Sequence, residues 1–143
     1  MTFGYNVVGF LRNEGNMSSD LKRILYAEDE ADIQEIVRIS LEEIGDFELQ
    51  VCSSGEELLE AYDQFAPDLI LLDVMMPGMD GITTFEKLKE MSSYKSTPVV
   101  FMTAKVQVNE VQQYKEIGAL EVISKPFNPM HLPEKLEEIW RNR

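Results

Sequence analysis

The chain has 143 residues, 44% of them hydrophobic, enough to bury the core of one globular domain and to exclude a disordered polymer. Its formal charge of −13 argues against direct contact with nucleic acid, which needs clustered Lys and Arg, and against an anionic membrane surface. The single cysteine, Cys52, excludes an internal disulfide framework and fits a cytoplasmic location, and no apolar run reaches the ~18 residues of a membrane span.

Residues 1–19 hold three glycines and no sustained hydrophobic period. They read as an N-terminal extension ahead of a domain spanning 20–143. From Asp20 onward, apolar runs alternate with helical periods. "RILYAED" is a short strand. "ADIQEIVRISLEEIG" places Ile33, Ile36, Val37, Ser40, Leu41 and Ile44 at helical spacing, and Gly45 suits its C-terminus. "FELQVCS" alternates as a half-buried edge strand does. "SGEELLEAYDQFA" is a helix that Ser53 or Ser54 can cap, and Pro67 follows its end.

"LILLD", Leu69–Asp73, is a continuous apolar run and so a fully buried strand, yet it ends in a carboxylate. After a Pro-Gly-Met-Asp-Gly loop, "ITTFEKLKEMSSY" is helical, with Asp80 as its cap. In that loop Met75, Met76 and Met79 are expected to pack onto the domain. "VVFMTA" is the fourth strand, "NEVQQYKEIGA" a helix closed by Gly118, "LEVISK" the fifth strand and "MHLPEKLEEIWRNR" an amphipathic last helix. Trp140 is expected in the core, and His131 at an exposed helix start. Strands alternating with helices imply an α/β fold with a parallel sheet covered on both faces. Such sheets place their sites beyond the C-terminal strand ends.

At those ends stand Glu28 and Asp29, then Asp73, then Thr103, then Lys125. Three carboxylates against one ammonium leave excess negative charge, which a proton or a cation must relieve. An all-oxygen site with few protein ligands suits Mg²⁺, with Mn²⁺ as a substitute. A flavin carrier of the same fold would need a phosphate-binding first loop, and "YAEDEAD" would repel one. A phosphatase with an aspartate nucleophile of the haloacid-dehalogenase type would need a second acid where Met75 stands.

The ordered set Glu28-Asp29, "LLDVMMPGMDG", "FMTA" and "SKPF" resembles the receiver domain of two-component response regulators, over roughly residues 20–141. The resemblance implies a doubly wound, flavodoxin-like (βα)5 sheet of strand order 2-1-3-4-5. It implies that Asp73 accepts a phosphoryl group from a sensor histidine kinase or a histidine phosphotransfer protein. Asp29, Asp73 and the Met75 carbonyl would ligate the metal, and Glu28 would assist, usually through a metal-bound water. Thr103 would bind a phosphoryl oxygen, and Lys125 would pair first with the acid and then with the phosphoryl group. The Lys125-Pro126 bond is expected to be cis.

The chain so read is a signalling switch with intrinsic phosphotransfer and dephosphorylation rather than a conventional enzyme. Met75 and Lys105 are expected to control water access to the phosphoryl group. The resemblance places kinase docking on the first helix and Phe127–Pro129, and output to a protein partner or a second copy on Val108–Gly118 and Glu121–Arg141. The family's aromatic three residues before the lysine is Val122 here. That departure keeps open a phosphorylation-independent binding module, and shifts the expected coupling to the loop 104–108 or to another side chain. A receiver fragment of a longer regulator is a further alternative.

Overall fold

The computed structural model describes residues 20–104 and 106–143; the expected extension 1–19 and Lys105 lie outside them. The elements are β1 (Arg23–Ala27), α1 (Ala31–Arg38, continued by a π-helical stretch Ile39–Ile44), β2 (Glu48–Cys52), α2 (Gly55–Phe65) and β3 (Leu69–Asp73). Then follow α3 (Gly81–Glu90), β4 (Val99–Thr103), α4 (Val108–Ile117), β5 (Glu121–Ser124) and α5 (Leu132–Arg141). The five strands pair in the order β2-β1-β3-β4-β5, every pair parallel. Every strand and helix expected from the hydrophobic pattern is present.

Parallel neighbours need crossover helices, and those helices cover both sheet faces. Every residue of β3 and β4 is therefore buried, which is why these strands read as unbroken apolar runs. The period of two sorts each strand between two cores. Leu25, Ile70 and Phe101 pack with Leu58 of α2, Phe85 of α3 and Tyr114 of α4. Tyr26, Leu71 and Met102 pack with Val37 of α1 and Leu136 and Trp140 of α5. At the edge, β2 turns Glu48 and Gln50 to solvent, as its alternation predicts.

Local chemistry sets most element ends. Ser54 caps α2 by accepting from the Glu57 amide at 3.1 Å, and Asp80 caps α3 by accepting from the Thr83 amide at 2.8 Å. The third helix stops at Glu90, short of the predicted Tyr94, because Met91 adopts an extended backbone. The first helix widens into a π-helical stretch, where the carbonyl of buried Ser40 accepts from the Gly45 amide at 3.0 Å and its hydroxyl donates to the Pro129 carbonyl at 2.6 Å. That bond ties α1 to the loop that carries Lys125. No helix among the described residues is long and apolar enough to cross a membrane.

The loop after β3 returns tightly over its strand. Gly78 sits at φ +74°, and a Cβ on Gly81 would lie 2.3 Å from the Asp73 carbonyl oxygen. Only glycine lets α3 begin this close to the end of β3. Gly81→Ala is expected to destabilise the protein by about 1–3 kcal/mol through overpacking against backbone. Urea unfolding at unchanged m-value is the check; unaltered stability would show that the loop does not need this approach.

Candidate functional site

The register of the sheet assembles the site. Ala27 pairs with Leu72, so Glu28 and Asp73 follow side by side, one residue beyond the pairing. Both continue the alternation of Tyr26 and Leu71, and so stand on the α1–α5 side of the sheet. Met102 pairs with Asp73, so Thr103 stands one residue further along the neighbouring strand. Lys125 follows the end of β5, and its amide donates to the Thr103 carbonyl at 3.0 Å.

Lys125 is the hinge of the cluster. Its ammonium donates to Glu28 Oε1 at 2.9 Å and pairs with Asp73 Oδ2 at 3.2 Å. The Glu30 amide donates to Glu28 Oε2 at 3.2 Å, and the Met75 amide donates to Asp73 Oδ1 at 3.3 Å. Gln34 of α1 donates its side-chain amide to the Glu28 carbonyl. The Lys125-Pro126 bond is cis, as expected from the sequence.

Glu28 is fully buried and Asp73 is 2% exposed, whereas Asp29 is partly open to solvent. Asp73 is deeper than a rim carboxylate, because β3 is central and the loop after it folds back over its end. Burial is the largest influence on Glu28 and raises its pKa above 4.5; the hydrogen bond from Lys125 opposes this, and the charge of Asp73 adds to it. Burial works to lower the Lys125 pKa, but the hydrogen bond to Glu28 and the charge of Asp73 outweigh it, so Lys125 stays protonated.

The donor set fits a small hard cation. One oxygen each from Glu28, Asp29 and Asp73 lie within 4.8 Å of one another. Two carboxylates about 4 Å apart repel by about 4 kcal/mol at an effective dielectric of 20. A single lysine cannot offset three of them. Oxygen-only donors with an open side toward Asp29 suit Mg²⁺, which keeps several of its waters.

Other expectations divide. Met75, expected to pack the loop, leaves its side chain 60% exposed, while Val74 and Met76 on either side of it are buried. Its peptide still reaches the site through the bond to Asp73 Oδ1. Trp140 is in the core and His131 is exposed at the start of α5, as the pattern implies. Ile36 and Ile44 remain 45% and 44% exposed, because the apolar stripe of the first helix is wider than its contact with the sheet. Tyr26 was not singled out by its sequence context. Its hydroxyl is buried near the three carboxylates, and its position two residues before Glu28 was the available signal.

A family model described as the response regulator receiver domain matches residues 24–137. The chain belongs to the response regulator receiver domains. It is 37% identical over 123 residues to the phosphate regulon transcriptional regulatory protein PhoB of Pseudomonas aeruginosa, covering 84% of this chain and 52% of that protein. It is 34% identical over 119 residues to the response regulator Rre1 of Synechocystis, covering 83% of this chain and 50% of that protein. The chain thus spans about half the length of the curated relatives it matches. Among solved structures, the chemotaxis protein CheY4 of Vibrio cholerae superposes with a TM-score of 0.76 at 29% identity, covering 84% of this chain and 99% of that one. The BeF3-activated N-terminal receiver domain of Klebsiella pneumoniae RstA superposes at 0.73 with 28% identity, over 84% and 99% of the two chains. Receiver domains are signalling switches, generally bind Mg²⁺ and work with a histidine kinase or phosphotransfer partner; the acidic cluster lies where this receiver would hold the ion.

The charge imbalance has a pH signature. Glu28 holds its proton more tightly in the folded than in the unfolded chain. Its contribution to stability is therefore full below pH 4.5 and is lost as pH rises through its folded pKa. In metal-free buffer, Glu28→Gln is expected to be at least as stable as the parent at pH 7, and to lose the gain that Glu28 gives on acidification toward pH 4.5. Thermal unfolding at several pH values reads this; a variant markedly less stable at pH 7 would contradict it.

Proposed function

We propose that this receiver is a phosphoacceptor switch in which Asp73 takes a phosphoryl group from a phosphohistidine on a sensor histidine kinase or a histidine phosphotransfer protein. The observation that supports it most is the sharing of one ammonium, Lys125, between Glu28 and Asp73 beside a third acid. A carboxylate needs no general base to act as a nucleophile. One Asp73 Oδ forms the new bond to phosphorus as the P–N bond of the donor breaks. The imidazole nitrogen keeps that electron pair and takes up a proton.

Transfer of this kind depends on position and on charge cancellation. Lys125 meets the incoming phosphoryl oxygens with its ammonium, and Thr103 offers a hydroxyl to another. Glu28, Asp29, Asp73 and the Met75 carbonyl would hold Mg²⁺, with Mn²⁺ as a substitute; the ion would supply further neutralisation of the phosphoryl charge. Asp73 is nearly buried, and the Met75 side chain stands exposed two residues on, where it would tune water access to the acyl phosphate. The receiver unit is taken as 20–143, with 1–19 as an extension, in a cytoplasmic protein.

Docking of the donor on α1 and the β5–α5 loop is supported by a groove of about 550 Å³ lined by Ile33, Ile36, Lys125, Pro126, Phe127 and Pro129. It opens beside the ammonium, and Ser40 braces its wall. The output surface is taken as Val108–Gly118 and Glu121–Arg141, where a protein partner or a second copy would bind; Val108 is 84% exposed there. Val122 is too small to serve as an aromatic readout. Tyr114 of α4 is buried against the same core, its ring 5.4 Å from that of Phe101 and at 85° to it. Such an edge contact is worth about 0.5–1.5 kcal/mol beyond area burial. It links α4 to the strand that ends in Thr103.

Incubation with Mg²⁺ and acetyl phosphate, followed by intact mass spectrometry, tests the central step. The expected result is one phosphoryl adduct on the parent and none on Asp73→Asn. No adduct from either a small donor or a phosphohistidine donor, or an equal adduct on Asp73→Asn, would defeat the reading. Tyr114→Leu is expected to keep the adduct but shrink the phosphorylation-induced NMR shifts of the output surface at least about twofold, through loss of the aromatic contact. Unchanged shifts would remove Tyr114 from the relay.

A further inference from the structure

The Tyr26 hydroxyl is the one buried side-chain polar atom without a hydrogen-bond partner among the described residues. Tyr26 itself is fully buried. It alternates with Glu28 along β1 and lies on the same sheet face, directly beneath the acidic cluster. Its hydroxyl lies near enough to Glu28 to act on it as a weak donor, yet makes no full hydrogen bond to it. Apart from burial, the groups that act on it are Glu28, Asp73 and Asp29. A phenylalanine would fill the same space without the cost of an orphaned hydroxyl.

Phosphorylation changes what Glu28 has to pair with. In the unmodified site Glu28 Oε1 accepts from Lys125 at 2.9 Å, and Oε2 accepts from the Glu30 amide at 3.2 Å. Once a phosphoryl group on Asp73 draws the ammonium, Glu28 loses one of its two hydrogen-bond donors; the Glu30 amide remains, and a bound Mg²⁺ would share its charge without donating a hydrogen bond. A wholly buried carboxylate in that condition is costly. The buried side-chain donor without a full partner among the described residues is the Tyr26 O–H, which Glu28 already influences.

We propose that Tyr26 is a positioning residue of the phosphorylated state, its hydroxyl taking over Glu28 when Lys125 turns to the phosphoryl group. This rests on the phosphoacceptor reading of Asp73. The hydroxyl makes no full hydrogen bond before phosphorylation and one after it, so its removal weakens the phosphorylated state more than the resting one.

Tyr26→Phe tests this with three measurements: thermal unfolding of the metal-free protein, calorimetric Mg²⁺ affinity of the unmodified protein, and calorimetric affinity for beryllofluoride, a phosphoryl mimic, in saturating Mg²⁺. The expected variant unfolds at the same or a higher temperature and binds Mg²⁺ within about twofold of the parent, but binds beryllofluoride about tenfold more weakly, the scale of one hydrogen bond to a charged group. Beryllofluoride affinity equal to the parent's would overturn the role of Tyr26 alone. A lower unfolding temperature, or a parallel loss of Mg²⁺ affinity, would show a bond already made in the resting site and overturn it too. A parent protein that binds no beryllofluoride and forms no adduct on Asp73 would instead defeat the phosphoacceptor reading, and this role with it.

Discussion

One ammonium is shared between two buried carboxylates, and the rest of the site depends on that sharing. Lys125 lies 2.9 Å from Glu28 and 3.2 Å from Asp73, while Asp29 adds a third acid from the solvent side. A parallel sheet covered on both faces leaves no water inside to shield Glu28 or Asp73. The cluster is therefore stable only while a cation is present, and it has fewer than its charge requires. That deficit is one a divalent ion could make up, and in the proposed function the lysine stands ready to meet a phosphoryl group.

The surrounding structure keeps this cluster in place. The β1–β3 register puts Glu28 beside Asp73. Gly81 lets the loop after Asp73 close over the strand end. Ser40 fixes α1 to the β5–α5 loop, and Gln34 holds the backbone of Glu28. Elements far apart in the chain thus share one polar end, and the Phe101–Tyr114 ring contact joins α4 to the strand beside Asp73.

Much of this was legible from residues alone, for physical reasons that differ by element. "LILLD" and "VVFMT" had to be central strands because only double coverage tolerates unbroken apolar runs, and the acid, hydroxyl and lysine at strand ends then had to meet. Ser54 and Asp80 announced their helices through capping chemistry. The depth of Asp73 was not legible, since it depends on how tightly the next loop folds back. The outward turn of Met75 was hidden for the same reason, and the π-helical widening at Ile39–Ile44 was hidden because the apolar residues there are spaced as in an α-helix. Tyr26 passed as an ordinary strand aromatic because an orphaned hydroxyl is a fact of packing. The Tyr114–Phe101 contact joins two elements whose spacing no local pattern encodes.

Thermal unfolding across a Mg²⁺ titration at constant ionic strength measures the charge deficit most directly. Preferential binding to the folded site raises the unfolding temperature with the logarithm of free Mg²⁺. The parent should show that rise, and Asp29→Asn, which removes the solvent-side acid, should lose most of it. No rise in the parent, or the same rise in both proteins, would contradict a site built to be completed by a divalent cation.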